Sequence, residues 1–173
     1  MSAGSTFYTI MPSPVGDLTL TSDGNALTAV YFDAPKYGPA STDGWIRDDP
    51  ALADVRRQLE EYFRGERTEF DLALAPEGTE FQRTVWRALT DIPFATTTSY
   101  GAIASRIGKP SASRAVGAAN GRNPISIVVP CHRVVGSAGD LTGYGGGLDR
   151  KRWLLDHEAV VLSRVRAATV GAR

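Results

Sequence analysis

One cysteine, Cys131, stands in this chain, beside residues able to make a thiol reactive. Pro130 ends a β-branched apolar run, Ile125 to Val129, that reads as a fully buried strand. Cys131 therefore falls at a strand exit, where a loop can expose it. His132 follows directly and offers a base, or a cation that favours the thiolate. Neighbours in a regular strand point to opposite faces, so the pair can cooperate only through a turn or a bridging water. Glu158, on a later helical segment, is the candidate orienter of the His132 imidazole, while the adjacent His157 reads as a packed core histidine. A lone cysteine is more often a small buried hydrophobe. The company of Pro130, His132 and Glu158 is what turns the reading toward nucleophilic chemistry.

Two kinds of segment must position these groups. Phe7 to Met11, Asp17 to Thr21 and Ala26 to Asp33 are short, rich in Thr, Val, Leu and aromatics, and divided by Pro-Ser-Pro-Val-Gly and Ser-Asp-Gly-Asn, so they predict an antiparallel meander. Residues 34–49 read as a loop. A helix is expected over 51–64, with Leu52, Val55, Leu59, Tyr62 and Phe63 on one face and Gly65 ending it. Phe70 to Leu74 reads as one more strand, and residues 75–78 as a linker. Thr79 and Gln82 then form a capping box ahead of an apolar stripe of Phe81, Val85, Trp86 and Leu89. A short helix around Tyr100–Ile107, a turn at Gly108-Lys109-Pro110 and a second helix over 111–120 give a helix-turn-helix pattern. Ala112, Ala115, Gly117, Ala118 and Ala119 make that second helix slim. A last helix is expected over 149–161, with Trp153, Leu154, His157 and Val161 buried, and 163–173 reads as a small, polar tail without a fixed fold. The fold class is α+β. A supporting α/β domain spans 1–78, a mainly helical domain spans 79–162, and the tail covers 163–173.

Charge separates along the same boundary. Residues 1–78 hold 6 Lys/Arg against 13 Asp/Glu, a net of −7, whereas residues 79–153 hold 10 against 4, a net of +6. A polyanion contact confined to the second part is one reading, and chance clustering of surface charge is the other. No apolar stretch is long enough to span a bilayer, and Met1 to Thr6 lacks the features of a signal peptide. One Cys and two His exclude an internal disulfide, argue against a structural zinc site, and fit a reducing, cytoplasmic setting.

Pro130-Cys131-His132-Arg133-Val134-Val135 resembles the signature of the O6-alkylguanine-DNA alkyltransferases, the methylated-DNA–protein-cysteine methyltransferases. Arg114-Ala115-Val116-Gly117, Asn123-Pro124, Ser99-Tyr100-Gly101, Tyr144-Gly145-Gly146-Gly147 and the helix from Trp153-Leu154-Leu155 to His157-Glu158 extend the resemblance, which is specific from about Thr79 to Glu158. It implies a ribonuclease-H-like first domain and a winged-helix-like second one. It also implies direct reversal repair: an alkyl group passes from O6 of guanine, and from O4 of thymine, to Cys131 after the base is flipped out of the stack.

The resemblance carries roles to particular residues. Cys131 is the nucleophile, His132 its base through a water, and Glu158 the residue fixing the useful tautomer. Tyr100 donates toward the departing base, and Asn123 braces the turn after the second helix. Arg114 fills the space left by the rotated nucleotide. Ser113, Ala115, Gly117, Arg122 and Ser137 complete a face that binds double-stranded DNA through its minor groove. Arg122 and Lys109 are candidate phosphate contacts, with a solvated surface role as the alternative. Tyr144, Gly145, Gly146 and Val134 line the alkyl pocket, whose glycines leave room for groups as large as benzyl. A thioether product has no easy leaving group, so each molecule acts once and needs no cofactor or metal. A monomer is expected, with cooperative clustering on DNA left open.

Three rivals fit less well. A cysteine hydrolase leaves the helix-turn-helix and Arg114 unexplained, and a non-catalytic lesion binder of this family lacks the acceptor cysteine. A transcriptional regulator carries bulkier polar residues on its recognition helix. The glycine run at 143–147 lacks the strand context and spacing of a nucleotide loop. No Cys or His precedes Cys131, so the N-terminal zinc site of some members is missing, and no fused methylphosphotriester-sensing domain is visible.

Overall fold

Turn chemistry sets the first three strands. In a computed structural model that describes residues 4–171, β1 (Phe7–Met11) pairs antiparallel with β2 (Leu18–Ser22), and β2 with β3 (Leu27–Phe32). Gly16, at φ +100°, closes the first turn, a backbone state that glycine adopts without strain. The loop expected over 34–49 contains a two-residue strand, β4 (Ile46–Arg47), parallel to β1, so the sheet order is β3-β2-β1-β4. Residues 1–3 and 172–173, the extremes of the expected N-terminal domain and tail, lie outside the described residues.

Helix α1 (Ala53–Phe63) follows a 3-10 turn begun by Pro50 and buries Val55, Leu59 and Tyr62. The strand expected at Phe70–Leu74 is reduced to one bridge between Leu74 and Leu27. Its backbone meets β3 only there, where Leu27 N–H donates to Ala73 O and Ala75 N–H to Leu27 O.

Helix α2 (Glu80–Thr90) starts at the expected capping box, in which Thr79 and Gln82 exchange side-chain and backbone bonds. Its Val85, Trp86 and Leu89 are buried, and Trp86 Nε1 donates to Ala119 O at 2.8 Å, tying α2 to the second helix of the pair. Strand β5 (Thr98–Ser99) leads into α3 (Tyr100–Arg106), capped by Ser99. Gly108, at φ +77°, turns the chain toward α4 (Ser113–Gly121). Helix α4 buries Val116, Ala119 and Asn120 and leaves Arg114, Ala115 and Ala118 exposed.

The run from Ile125 to Val129 is buried but is not a strand. Beyond one bridge from Ile125 to Val30, it folds into tight turns. Val128 N–H donates to Ser126 O and Val129 N–H to Ile125 O, with Ile127 at φ +73°. The partners that a neighbouring strand would provide come instead from Asn123, which accepts from Ile125 N–H and donates to Val129 O. Strand β6 (Val134–Val135) pairs parallel with β5.

The last helix, α5 (Leu148–Gly171), runs ten residues past its expected end, through most of the segment expected as a tail. Nothing from Leu162 to Thr169 breaks a helix, so it continues with a largely exposed surface. Its buried face is Lys151, Leu154, Glu158 and Val161. Trp153 and His157, expected on that stripe, sit at its edge, stacked on each other at 4.9 Å beside Tyr62 and Phe63 of α1.

Candidate active site

Cys131 begins a 3-10 turn, Cys131–Arg133, rather than leaving a strand. It is buried, at 3% exposure, and not displayed on a loop. Burial pushes its thiol up, opposed by the Asn123 side chain, the Lys151 charge and the Tyr144 hydroxyl. The resting group is therefore a protonated thiol that needs a base.

The 3-10 turn solves the facing problem that a strand would pose. His132 Nε2 lies 2.8 Å from Glu158 Oε1, and both side chains are fully buried. Glu158 is heavily bonded. Tyr62 Oη donates to it at 2.9 Å, Ala95 N–H at 3.2 Å, Arg133 Nη2 at 2.8 Å and Arg133 Nε at 3.0 Å. Burial works to raise the Glu158 carboxyl, but the bonds and charges of His132 and Arg133 outweigh it and hold it at about 2. Burial lowers His132, against the pull of Glu158, so the imidazole is neutral at pH 7. With an anionic acceptor at Nε2, the proton sits on Nε2 and the lone pair on Nδ1. Nδ1 has no partner within the protein, and no direct hydrogen bond joins it to the thiol. The arrangement is an oriented base beside a buried nucleophile.

Three members of this network were not legible as site residues: Arg133, Tyr62 and Lys151. Lys151 is fully buried and its Nζ donates to Val134 O at 2.6 Å and Thr142 O at 2.9 Å. Burial lowers its ammonium, while Cys131 and Asp140 favour the charge. Lys151 and Glu158 share the spacing of Leu154 and Val161, and charged residues on an apolar stripe were the available signal.

A narrow cleft opens beside Cys131, between Phe32, Pro35 and Tyr37 of the first domain and Asn120, Tyr144 and Gly146 of the second. Gly145 and Gly146 lie on its wall as expected, yet they do not widen it. A Cβ on Gly146 would meet the Phe32 ring at 2.6 Å, and one on Gly145 would meet Gly121 O at 3.2 Å. The space that the two missing side chains would free is filled by these neighbours. Val134, also expected on the wall, points into the core from β6 and is not part of it.

Tyr100 stands outside the cleft wall. Its hydroxyl donates to Thr142 O at 3.1 Å, the carbonyl that Lys151 also holds. On α4, Arg114 and Ala115 are exposed, Ser113 and Gly117 half-buried, and Gly117 faces the Tyr100 ring. Arg122 is exposed with its guanidinium 4.4 Å from the centre of the Tyr37 ring, and Lys109 lies 5.3 Å from that of Phe81. Ser137 is exposed after β6. Among the described residues no group of three His, Cys, Asp or Glu is placed to hold a metal ion, and no helix is long and apolar enough to cross a membrane.

A buried thiol, an oriented imidazole and a slim helix-turn-helix on a small sheet domain define a cysteine group-transfer protein built on a nucleic-acid-binding scaffold. Two family models divide the chain between them: the 6-O-methylguanine DNA methyltransferase ribonuclease-like domain matches residues 6–76, and the DNA binding domain of the same family matches residues 80–160. Methylated-DNA–protein-cysteine methyltransferases of Methanosarcina acetivorans and Mycolicibacterium paratuberculosis are 51% and 55% identical to it. The first alignment covers 88% of this chain and 97% of the relative, the second 86% and 89%. The crystal structure of Mycobacterium tuberculosis OGT in complex with DNA matches with a TM-score of 0.84 and 50% identity, covering 90% of this chain and 94% of that one. The chain belongs to the 6-O-methylguanine DNA methyltransferase family.

Proposed function

We propose that Cys131 accepts an alkyl group from O6 of guanine, and from O4 of thymine, in double-stranded DNA, and keeps it. The activity is that of the family: a methylated-DNA–protein-cysteine methyltransferase performing direct reversal repair. The observation that carries the residue assignment is the neutral His132, bound at Nε2 by anionic Glu158 and unengaged at Nδ1, next to a thiol that burial keeps protonated. His132 takes the thiol proton through one water as the sulfur attacks the alkyl carbon, and guanine leaves with the C–O bonding pair. The proton balance closes when guanine regains a ring proton. Tyr100 turns its hydroxyl from Thr142 O to the departing base, and Lys151 keeps that carbonyl paired.

Helix α4 enters the minor groove with its small exposed face, and Arg114 replaces the flipped nucleotide in the stack. Ser113, Ala115, Gly117, Arg122 and Ser137 complete the contact surface, and the protein binds as a monomer. A free thiol that must stay reduced suits a cytoplasmic setting. Intact-mass spectrometry after incubation with an O6-methylguanine duplex tests the assignment. One added methyl on Cys131, absent in Cys131→Ser, is expected; an unchanged mass would overturn it.

A further inference from the structure

In the loop between β6 and α5, one residue both takes a hydrogen bond from the Tyr100 phenol and returns one. Tyr100 Oη donates to Thr142 O at 3.1 Å, and Thr142 Oγ1 donates back to Tyr100 Oη at 3.2 Å. The Thr142 hydroxyl makes no other hydrogen bond among the described residues. Lys151 Nζ reaches the same carbonyl at 2.9 Å, and a carbonyl oxygen has lone pairs for both donors. The Tyr100 ring lies against α4, where a Cβ added to Gly117 would stand 3.7 Å from it. The phenol O–H can turn about its C–O bond while the ring stays packed. Turning it toward a base gives up the bond to Thr142 O, but Lys151 leaves that carbonyl paired, so no acceptor is orphaned. The bond from Thr142 Oγ1 survives the turn. It strengthens as the proton moves toward guanine and negative charge grows on Oη.

We propose that Thr142 is a positioning residue for Tyr100: its side-chain hydroxyl holds the phenol oxygen in place while the proton turns to guanine, and steadies the charge left behind. The carbonyl of the same residue parks that proton until the base arrives. The step balances without a proton from Thr142. The Cys131 Sγ–C bond forms as C–O6 breaks, the thiol proton passes to His132, the bonding pair moves onto guanine, and Tyr100 shares its proton with the base. Thr142 contributes one bond and no proton. This inference rests on the donor role proposed for Tyr100. If the hydroxyl served only to tie the loop to α3, it would matter equally with and without a phenol proton to deliver.

The test is single-turnover methyl transfer from an O6-methylguanine duplex at saturating DNA, with duplex affinity measured alongside. Thr142→Val keeps the branched shape and the backbone carbonyl and removes the hydroxyl. It should slow transfer by about tenfold, the worth of one hydrogen bond to a charged partner, and leave affinity unchanged. Thr142→Ser, which restores a hydroxyl, should recover most of the wild-type rate. In a Tyr100→Phe protein, adding Thr142→Val should slow transfer no further, because the hydroxyl then has no phenol to support. A wild-type rate in Thr142→Val overturns the proposal, as does a Thr142→Ser protein no faster than Thr142→Val. Equal slowing by Thr142→Val in both backgrounds also overturns it and leaves the hydroxyl as a tie for the loop alone. Should Thr142→Val not fold, Thr142→Ala supports the same comparisons. Tyr100→Phe by itself separates the two failures. If it transfers at the wild-type rate, the donor role of Tyr100 is lost; if it is slow while Thr142→Val is not, only the Thr142 assignment fails.

Discussion

At the scale of single residues, protonation decides the reaction. Burial raises Cys131 above its ordinary range and lowers His132 below its own, so near neutrality a thiol faces a neutral base. Replacing His132 with Gln should slow methyl transfer at pH 7 by about 10²–10⁴-fold, the usual contribution of a positioned base. The loss should shrink above pH 9 as the thiolate forms unaided. Single-turnover rates across pH check this, and a variant with the wild-type profile would remove His132 from the mechanism. Glu158 makes a separate prediction about stability. Its folded value of about 2 lies below 4.5, so its contribution is complete above pH 4.5 and is lost as pH falls toward 2. Glu158→Gln should cost about 3 kcal/mol at neutral pH, because Arg133 is left buried without its anion. Denaturant melts should show that difference closing between pH 4.5 and 2.

At the scale of elements, helix α4 is the one proposed to join binding to chemistry. Arg114 is exposed and makes no ion pair among the described residues, so Arg114→Ala should change stability by less than about 0.5 kcal/mol. Repair of an O6-methylguanine duplex should nevertheless fall more than about tenfold, in line with loss of a base-replacing contact. Melting curves and repair rates on one preparation separate these effects, and unimpaired repair would move the flipping role elsewhere. Much of this level was legible in the sequence. Turn residues delimited β1 to β3, the Thr79 box marked α2, and Gly108 marked the turn between α3 and α4. The segment from Ile125 to Val129 was misread because burial alone selects β-branched apolar residues, whether the backbone is paired to a strand or to Asn123. The end of α5 was missed for the opposite reason. Past Val161 no apolar stripe remains, and the helix persists through its own backbone bonds and the propensity of Arg and Ala. The Cys131, His132 and Glu158 constellation was readable from its motif. Tyr62 was not, because its partner lies 96 residues away.

At the scale of the whole molecule, the two parts divide charge but share the site. The basic second part predicts duplex affinity that falls linearly with log salt, by about 0.9 in log K per phosphate contact; binding titrations between 50 and 200 mM salt, roughly, check this. The acidic first part lines one side of the Cys131 cleft through Phe32, Pro35 and Tyr37, and it also reaches the Glu158 carboxylate directly. Tyr62 of α1 donates to Glu158, His157 is bonded through Nε2 to Tyr62 O, Arg150 donates to Val15 O, and β3 receives the turn after α4 through Val30 N–H to Pro124 O. The first domain is thus part of the shell that orients His132. Tyr62→Phe keeps the ring in the core and removes one bond from the carboxylate, so it should cost about 1 kcal/mol in stability. If the domain only buries surface, methyl transfer well below the melting temperature should be unaffected. If it orients the base through Glu158, transfer should slow and the acid limb of the rate profile should move to higher pH, because a carboxylate with one donor fewer stabilises the His132 imidazolium more strongly. An unchanged rate and profile would reduce the first domain to packing alone.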